Sequence, residues 1–263
     1  MTLDIIGNIA ILHFPEKPRK IKKTEKIKIA KKILQEKKNI KTVLEKSGKV
    51  SGRLRTLKTR FLAGEKTLEA LYRENGCVFK LNVETCYFSS RLAEERKQVS
   101  GMINKTDRVL VMFAGVAPFP VVIAKNRGAN VVSLELSREC EKYARENIKI
   151  NHVADKVEII QGDVKKLNRV VEKGKKKLGK FDIIVMPRPN LRETFLNSAF
   201  SVSKKGTLVF YYCFGREEDL NKSLEEIYKI AKRNRKKIQV LRVKKAGDIA
   251  PFKWRWRVDF KIV

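Results

Sequence analysis

Long apolar runs, histidine and acidic side chains are all scarce in this chain of 263 residues. The longest uncharged apolar runs, such as Val109–Phe113, are far shorter than the roughly 20 residues that a membrane-spanning helix needs, so we expect no membrane protein. The N-terminus lacks the features of a secretory signal peptide, which are a basic flank before an apolar stretch and a small-residue cleavage site. This predicts a cytoplasmic location. With 43% apolar residues, the chain is nevertheless able to bury a sizeable core.

Cysteine and histidine are too few and too scattered to predict a metal site. The chain has four cysteines and two histidines, and the cysteines show no C-x-x-C spacing. We therefore expect no bound metal. The four thiols are expected to behave as small buried apolar side chains; they are Cys77, Cys86, Cys140 and Cys213.

Acidic residues number 29 against 60 lysines and arginines, which gives a net charge of +31. The excess is uneven, because residues 1–60 and 231–263 together carry +23 of it. A solvated basic surface is the simplest interpretation, but a lysine-rich surface of the thermophilic kind normally carries matching acids. The imbalance instead predicts a polyanionic partner, and a nucleic acid is the expected one.

The first part of the chain predicts a small basic α+β domain that binds RNA, over residues 1–88. Residues 1–15 alternate short apolar runs with polar breaks, which is typical of a strand pair or an edge strand. From Thr24, apolar residues recur at helical spacing with lysines between them, which predicts an amphipathic helix with a basic outer face. Its apolar positions are Ile27, Ala30, Ile33 and Leu34. A further strand is expected at 78–83.

Residues 89–263 predict an α/β domain with a doubly wound parallel sheet. The pattern from residue 109 is strand, turn and helix, repeated, with connections long enough for crossover helices. Strands are expected at Val109–Phe113, Asn130–Leu136, Val157–Gln161, Phe181–Met186 and Thr207–Cys213. Residues 252–262 then alternate strictly between apolar and charged, which predicts a half-buried antiparallel edge strand. Trp254 and Trp256 lie on its apolar face, where core packing is favoured over stacking on nucleic-acid bases, and Arg257 and Asp259 lie on its charged face.

The first strand of this domain ends in a turn of small residues around Gly115, followed by a helix start at Pro118. Such a turn lets a nucleotide-like ligand approach the backbone and the N–H groups of the helix. The sequence has neither G-x-G-x-x-G nor G-x-x-x-x-G-K-[ST] at this place. A pyrophosphate site and a phosphate-cradling loop are therefore disfavoured.

Two carboxylates follow at the ends of the next two strands. Glu135 is placed to accept the hydroxyls of a ribose, and Asp163 is placed to accept from an adenine amino group. Either acid alone is more often a cap or turn residue. Together, on one edge of the sheet, they predict an adenosine pocket, and the missing pyrophosphate loop favours S-adenosylmethionine over NAD or ATP. Methyl transfer is the chemistry that follows.

Several motifs carry a resemblance to a known family. They are Asp4-Ile-Ile-Gly-Asn-Ile-Ala, Leu62-Ala-Gly-Glu, Arg73-Glu-Asn-Gly-Cys, Cys86-Tyr-Phe-Ser-Ser-Arg-Leu-Ala-Glu-Glu-Arg, Met112-Phe-Ala-Gly-Val-Ala-Pro-Phe and Met186-Pro-Arg-Pro. In this order, and over nearly the whole chain, they resemble the archaeal and eukaryotic tRNA (guanine-37-N1) methyltransferases. The resemblance implies a class I, Rossmann-like methyltransferase domain that uses S-adenosylmethionine, and the anticodon stem-loop of tRNA as substrate. It also implies that the chain lacks the extra N-terminal domain with which many members grip the tRNA elbow. A monomer is expected.

The resemblance also implies roles for individual residues. Glu95 matches the general base that removes the proton from guanine N1, Arg55 matches the arginine that holds O6, and Tyr87 matches the aromatic that holds the flipped base. Taken alone, Glu95 could pair with Arg91 on one helix face, Arg55 could bind a phosphate, and Tyr87 could lie in the core. Cofactor contacts are expected from Phe113, Ala114, Gly115, Val116, Glu135, Asp163 and Pro187, and substrate contacts from Arg91 and Arg188.

Three departures from the family pattern affect these expectations. Val111 stands where the family usually has Asp, and Ala117 replaces a common Gly, so cofactor binding could be weaker. Pro187 stands where some members have Asn, which leaves base contacts to backbone carbonyls or to Arg188. The leading hypothesis is an S-adenosylmethionine-dependent tRNA methyltransferase that forms N1-methylguanosine at position 37. The alternatives are an enzyme that also C-methylates a wyosine precursor at that nucleotide, and an RNA-binding protein without catalysis.

Overall fold

A four-stranded sheet with one packed helix forms the N-terminal part of the fold. The computed structural model describes residues 1–15, 21–48, 52, 54–167 and 179–263. The strands are β1 (Thr2–Ile6), β2 (Ile9–His13), β3 (Thr42–Lys46) and β4 (Thr59–Gly64), in the order β1-β2-β3-β4. β1 and β2 form the strand pair that the sequence offered as one of two possibilities, and they pair antiparallel. β2 and β3 pair parallel through a crossover that contains α1 (Lys23–Glu36).

Helix α1 has the amphipathic form expected from its sequence. Ala30 and Ile33 are buried and pack with Leu12 and Val43 of the sheet, while most of the lysines of the helix are exposed. Helix α1 thereby covers one face of the sheet, and its exposed lysines form a basic outer surface.

A larger sheet of seven strands has the order β12-β13-β11-β10-β7-β8-β9. Its strands are β7 (Arg108–Met112), β8 (Asn130–Glu135), β9 (Val157–Gln161), β10 (Phe181–Met186), β11 (Ser203–Gly215), β12 (Ile238–Ala250) and β13 (Lys253–Ile262). Strands β7 to β11 pair parallel. The connections contain α3 (Pro118–Arg127), α4 (Arg138–Ile150), α5 (Leu196–Ser201) and α6 (Leu220–Arg233). The predicted doubly wound, Rossmann-like fold is confirmed.

The parallel strands are apolar on both faces, because helices cover both sides of the sheet. Val109, Val111 and Val131 belong to one core cluster, and the alternate residues Leu110 and Met112 belong to another. This is the pattern that a doubly covered parallel sheet requires. The connection between β9 and β10 includes residues 168–178, which lie outside the described residues, and so does the helix expected there.

The C-terminal strand differs from its predicted place and environment. β13 pairs antiparallel with β11, as expected, but it also pairs with β12, which forms the edge and was not recognised in the sequence. Arg257 and Asp259, assigned to an exposed charged face, are 0% and 4% exposed. The assignment was wrong because β13 lies inside the sheet, where an ion pair takes the place of solvent. Trp256 packs in the core, as predicted.

A hairpin of β5 (Glu69–Glu74) and β6 (Cys77–Asn82) lies between the two sheets. The turn of β1 and β2 contacts its first strand closely: a Cβ atom on Gly7, which has φ of 56°, would lie 2.0 Å from the Leu71 carbonyl oxygen. Only glycine permits this approach. The next residue, Asn8, accepts a hydrogen bond from the Leu71 N–H at 2.7 Å.

The other strand of the hairpin is held by two asparagines four residues apart, Asn147 on α4 and Asn151 directly after its last residue. Asn147 Oδ1 accepts from the Lys80 N–H at 2.7 Å, and its Nδ2 donates to the carbonyls of Lys80 and Val116 at 3.0 Å each. Asn151 makes the same pair of bonds with the N–H and carbonyl of Val78, at 2.8 and 2.6 Å. Backbone groups of a hairpin edge thus find partners in side chains.

The four cysteines are buried and unpaired, as predicted. In the residues that the structure describes, no helix has the length and apolar character needed to span a membrane.

Candidate active site

A cavity opens at the carboxyl ends of the parallel strands, where ligands bind in doubly wound folds. Four predicted cofactor residues line it, each just after or at the end of a different strand. They are Phe113 after β7, Glu135 at the end of β8, Asp163 after β9 and Pro187 after β10. The topology therefore brings together residues that are far apart in sequence.

The turn after β7 has an unusual backbone. Phe113, Gly115 and Ala117 have φ of 63°, 57° and 66°, so three alternate residues lie in the left-handed region. This region is strained for residues other than glycine, so Phe113 and Ala117 both hold a backbone conformation that glycine adopts more readily. Ala114 and Gly115 line the cavity, whereas Val116 is fully buried and packs into the core. Val116 can therefore contribute to the site through its backbone only.

Glu135 fixes this turn with both carboxylate oxygens. Oε2 accepts from the Gly115 N–H at 2.7 Å, and Oε1 accepts from the Ser137 N–H at 2.8 Å. Burial raises the pKa of the Glu135 carboxyl, although these backbone N–H groups partly oppose the shift by stabilising the anion. The remaining lone pairs are available to hydroxyl donors of a ligand in the cavity.

The cavity fits an adenosyl group. Phe113 packs edge-to-face on Phe195, with ring centroids 4.8 Å apart, and these rings line the cavity with Leu136 and Val164. Asp163 accepts from the Lys165 N–H at 2.9 Å, so it caps a short turn and also lines the cavity. An apolar slot with carboxylates on its rim is the environment expected for an adenine ring and its ribose.

Arg55 and Tyr87 lie together on the cavity wall. The Arg55 guanidinium carbon stands 4.0 Å from the centroid of the Tyr87 ring, although 32 residues separate them in sequence. Arg55 Nε is buried and finds no hydrogen-bond partner in the described part of the chain. A buried donor without a partner is uncommon and favours a ligand oxygen as its missing acceptor.

Glu95 lies in the first turn of α2 (Ala93–Gly101), is 5% exposed, and is not among the described residues that line the cavity. Its Oε1 accepts from the Tyr212 hydroxyl at 2.8 Å and from Arg257 Nη1 at 2.7 Å. Tyr212 does line the cavity. The structure thus places Glu95 one side chain behind the cavity wall, and does not pair it with Arg91.

Arg257 belongs to a buried network of alternating charge around Glu95. Its Nε and Nη2 donate to the two carboxylate oxygens of Asp259 at 2.6 and 2.9 Å, and Lys244 Nζ lies 3.1 Å from Glu95 Oε2. Burial lowers the pKa of Arg257, but the ion pairs with Asp259 and Glu95 outweigh it and raise the pKa above its ordinary value. Burial raises the pKa of Asp259, which Arg257 partly opposes. Two anions and two cations balance one another in this network.

The two arginines predicted to bind substrate occupy different environments. Arg91 is exposed, and its Nη2 donates to Asp4 Oδ1 at 2.7 Å. Arg188 is 8% exposed and lines the cavity, but its Nη1 donates to the carbonyls of Pro189, Leu191 and Glu193 at 2.9–3.1 Å. These bonds give Arg188 a structural role in shaping the loop after β10.

Several residues of the site were missed in the sequence. Arg96 lines the cavity and forms a buried ion pair with Glu74, with Nη2 2.5 Å from Oε2. Tyr212 and Arg257 were missed because the sequence patterns around them predict only strands. Such patterns do not show that side chains of these strands contact Glu95 on helix α2. One signal was present: Arg257 and Asp259 carry opposite charges two residues apart, on one face of a strand.

Two family models together match most of the chain. The model of the TRM5/TYW2 methyltransferase domain matches residues 70–241, which is more than half of the sequence. The chain belongs to the TRM5/TYW2 methyltransferase family. The predictions of a methyltransferase and of S-adenosylmethionine as cofactor are thereby confirmed.

The second model, of the TYW2 N-terminal domain, matches residues 3–67 of this TRM5/TYW2 methyltransferase. The expectation that the chain lacks the N-terminal domain is therefore wrong. The matched residues form the sheet of β1 to β4 and helix α1, a compact unit with its own buried cluster.

Relatives of known name support this membership. The tRNA (guanine(37)-N(1))-methyltransferase Trm5b of Pyrococcus abyssi is 36% identical over 262 residues, covering 99% of this chain and 74% of the relative. The tRNA (guanine(37)-N(1))/4-demethylwyosine(37)-methyltransferase Taw22 of Nanoarchaeum equitans is 32% identical, with full coverage of both chains. The crystal structure of Trm5b from Pyrococcus abyssi superposes with a TM-score of 0.84 at 35% identity, over 99% of this chain and 74% of that one.

Proposed function

We propose that this TRM5/TYW2 methyltransferase methylates N1 of the guanine at position 37 of tRNA. The observation that carries the proposal is the Arg55–Tyr87 pair on the cavity wall, with Glu95 directly behind Tyr212. The aromatic ring can stack on the base, the cation can stabilise charge that develops on it, and the carboxylate can take up the proton that leaves the ring nitrogen.

Tyr87 and Arg55 bind the target base. Tyr87 is 37% exposed, so part of its ring is free to stack on an extruded base, as enzymes that act on a base inside a nucleic acid require. Arg55 Nε donates to guanine O6, where negative charge grows as the N1 proton leaves. Stacking on Tyr87 holds the guanidinium in place before the base arrives.

Glu95 is the final acceptor of the N1 proton. Tyr212 lines the cavity and donates its hydroxyl proton to Glu95 Oε1, so it can pass that proton on as its oxygen accepts the one from N1. The tyrosine ends the step unchanged and Glu95 ends it protonated. The high pKa of Tyr212, which burial and then the Glu95 charge raise well above the ordinary value, keeps the hydroxyl protonated before the step.

The cofactor occupies the slot beside Phe113 and Phe195. Glu135 accepts from the ribose hydroxyls, Asp163 accepts from the adenine amino group, and the backbone of Ala114 and Gly115 lies against the ligand. When bound, S-adenosylmethionine supplies the electrophilic methyl group.

Residues 1–88 act as the RNA-binding domain and residues 89–263 as the methyltransferase domain. The +31 charge, concentrated at the chain ends, supports binding to the phosphates of the anticodon stem-loop. The enzyme works as a monomer in the cytoplasm and without a metal ion. Size-exclusion chromatography with light scattering and an assay in chelator test the monomer and the metal independence.

Nucleoside mass spectrometry of tRNA treated with the purified protein and S-adenosylmethionine tests the function. We expect N1-methylguanosine from tRNA with G37 and none when G37 is replaced by adenine. Glu95→Gln should lower the single-turnover rate by about 10²- to 10⁴-fold with little change in tRNA affinity. Glu94→Gln is the matched control, because Glu94 is on the same helix turn but exposed. An unimpaired Glu95→Gln enzyme would remove Glu95 from the mechanism.

A second activity, methylation of 4-demethylwyosine at the same position, is favoured by two observations. The Taw22 relative carries both activities in its name, and the N-terminal residues match the TYW2 domain model. Treating tRNA that contains 4-demethylwyosine at position 37, in parallel with G37 tRNA, separates the candidates. A methylated product from both substrates would establish the dual activity, whereas a product from G37 alone would exclude it.

A further inference from the structure

The turn between β12 and β13 carries an apolar side chain that the fold does not use. Ala250 pairs with Lys253, so Pro251 and Phe252 form a two-residue turn. Phe252 is 75% exposed, more than any other large apolar side chain in the described residues. No ring pair, cation–π contact or core cluster of the described chain includes it.

Phe252 is also unfavourable for the backbone of this turn. Its φ is 57°, in the left-handed region. A turn with proline first and a positive φ second favours glycine or asparagine at the second place. The stability of the fold does not explain a phenylalanine here, because its ring is solvated and its backbone conformation is strained. Such an outlier indicates a role in binding another molecule.

The position of the turn indicates which molecule the Phe252 ring contacts. Arg255, three residues further on, lines the cavity and lies opposite Gly247 in the strand pair. The turn therefore extends from the rim of the candidate active site. Leu54 and Tyr87, which also line the cavity, are exposed at 45% and 37%.

Charge around the turn selects the partner. Lys253, Arg255 and Lys245 lie on the two strands near the turn, and the carboxylates beside them are Asp248 and Glu217, which lies 3.3 Å from Lys245 Nζ. A basic surface with an exposed ring at its tip matches single-stranded RNA, whose phosphates take the charge and whose unpaired bases stack on aromatic side chains. An apolar protein partner would leave Lys253, on the strand next to the ring, without a counter-charge.

We propose that the β12–β13 turn is a contact for the substrate RNA, in which Phe252 stacks on an unpaired base of the anticodon loop beside the extruded target base. The inference rests on the proposed function for the identity of the RNA. In this arrangement, the turn would hold the anticodon loop of the RNA open next to the cavity.

The test compares Phe252→Gly and Phe252→Asn with the wild type, using a labelled anticodon stem-loop RNA without cofactor. Both replacements suit the positive φ, so thermal stability should stay the same or rise. The Kd for RNA should rise about 5-fold or more, which is the lower range for loss of one base–aromatic stack. Phe252→Trp should bind as the wild type does. Leu241→Ala, an exposed apolar residue on β12 that does not line the cavity, is the matched control and should leave the Kd unchanged.

Abasic replacement of each loop nucleotide in turn identifies the stacked base. At that nucleotide, Phe252→Gly should cause no further loss of affinity, because the partner of the ring is already absent. A wild-type Kd in both Phe252 variants, or an equal loss in Leu241→Ala, would overturn the proposal. Because binding is measured without methyl transfer, a protein that binds through Phe252 but yields no N1-methylguanosine would refute the proposed function and leave this inference standing.

Discussion

Replacing Arg257 by methionine tests whether the buried network around Glu95 holds the fold together. Arg257 is 0% exposed and is the common partner of two carboxylates, Glu95 and Asp259, which are 5% and 4% exposed. The variant keeps much of the side-chain volume but leaves Asp259 without its bidentate partner. Glu95 keeps Lys244 and Tyr212.

Removal of one partner from a buried ion pair costs about 3–5 kcal/mol, because the remaining charge stays in the interior. At about 2–4 °C per kcal/mol for a chain of this size, Tm should fall by about 6–20 °C. The variant Arg257→Met/Asp259→Asn should recover part of this loss, since the amide carries no charge. Lys261→Met, an exposed residue of the same strand, should change stability by no more than about 0.5 kcal/mol.

The loss should also depend on pH, with a sign that follows from Asp259. Burial already raises the pKa of this carboxyl, and removal of Arg257 removes the opposing effect, so its pKa rises further in the variant. A carboxyl whose pKa is higher in the folded state contributes stability at low pH, and this contribution is lost as pH rises through the folded-state pKa. Denaturant unfolding should therefore show a deficit that is largest at neutral pH and smaller in acid. A deficit below about 1 kcal/mol, or one independent of pH, would refute this account of the network.

Three further predictions concern catalysis and binding. Tyr212→Phe removes the hydroxyl that donates to Glu95 and should lower the single-turnover rate of methyl transfer by about 10-fold or more. An unchanged rate would mean that the proton reaches Glu95 by another route. Glu135→Ala removes the acceptor of the Gly115 and Ser137 N–H groups. It should raise the Kd for S-adenosylmethionine, measured by calorimetry, by about 10- to 100-fold. An unaltered Kd would exclude Glu135 from the cofactor site. The affinity for tRNA should fall with salt, with a log–log slope of several units, and a flat response would mean that the basic ends only face solvent.

The parallel sheet was predictable because its residues obey a strong local rule. Strands buried on both faces are largely apolar runs, and β10, in the middle of the sheet, begins and ends where the sequence predicts. The bounds of the edge strand β9 were also predicted, from its β-branched residues and the turn residues that follow it. Strand β12 was missed because it lies at the edge: most of its residues are exposed and it contains three register shifts, so its alternation is interrupted.

The candidate site was predictable where one strand end supplies one residue, and less so where side chains from distant elements meet. Glu135 and Asp163 were recognisable from their places after strands, whereas the proximity of Tyr212 and Arg257 to Glu95 depends on how α2 packs on β11 and β13. Spacing along the chain contains no information on such a contact. Val116 shows the converse, since its neighbours in the same turn reach the cavity and its side chain does not.

Asn147 on α4 connects two parts of the molecule that are distant in sequence. Asn147 binds β6 and, through the same amide nitrogen, the carbonyl of Val116 in the turn that borders the cofactor slot. Aspartate could not donate these bonds, and glutamine would push the hairpin away by a methylene group. One side chain therefore joins the hairpin directly to the turn beside the cavity, and this connection does not pass through the seven-stranded sheet.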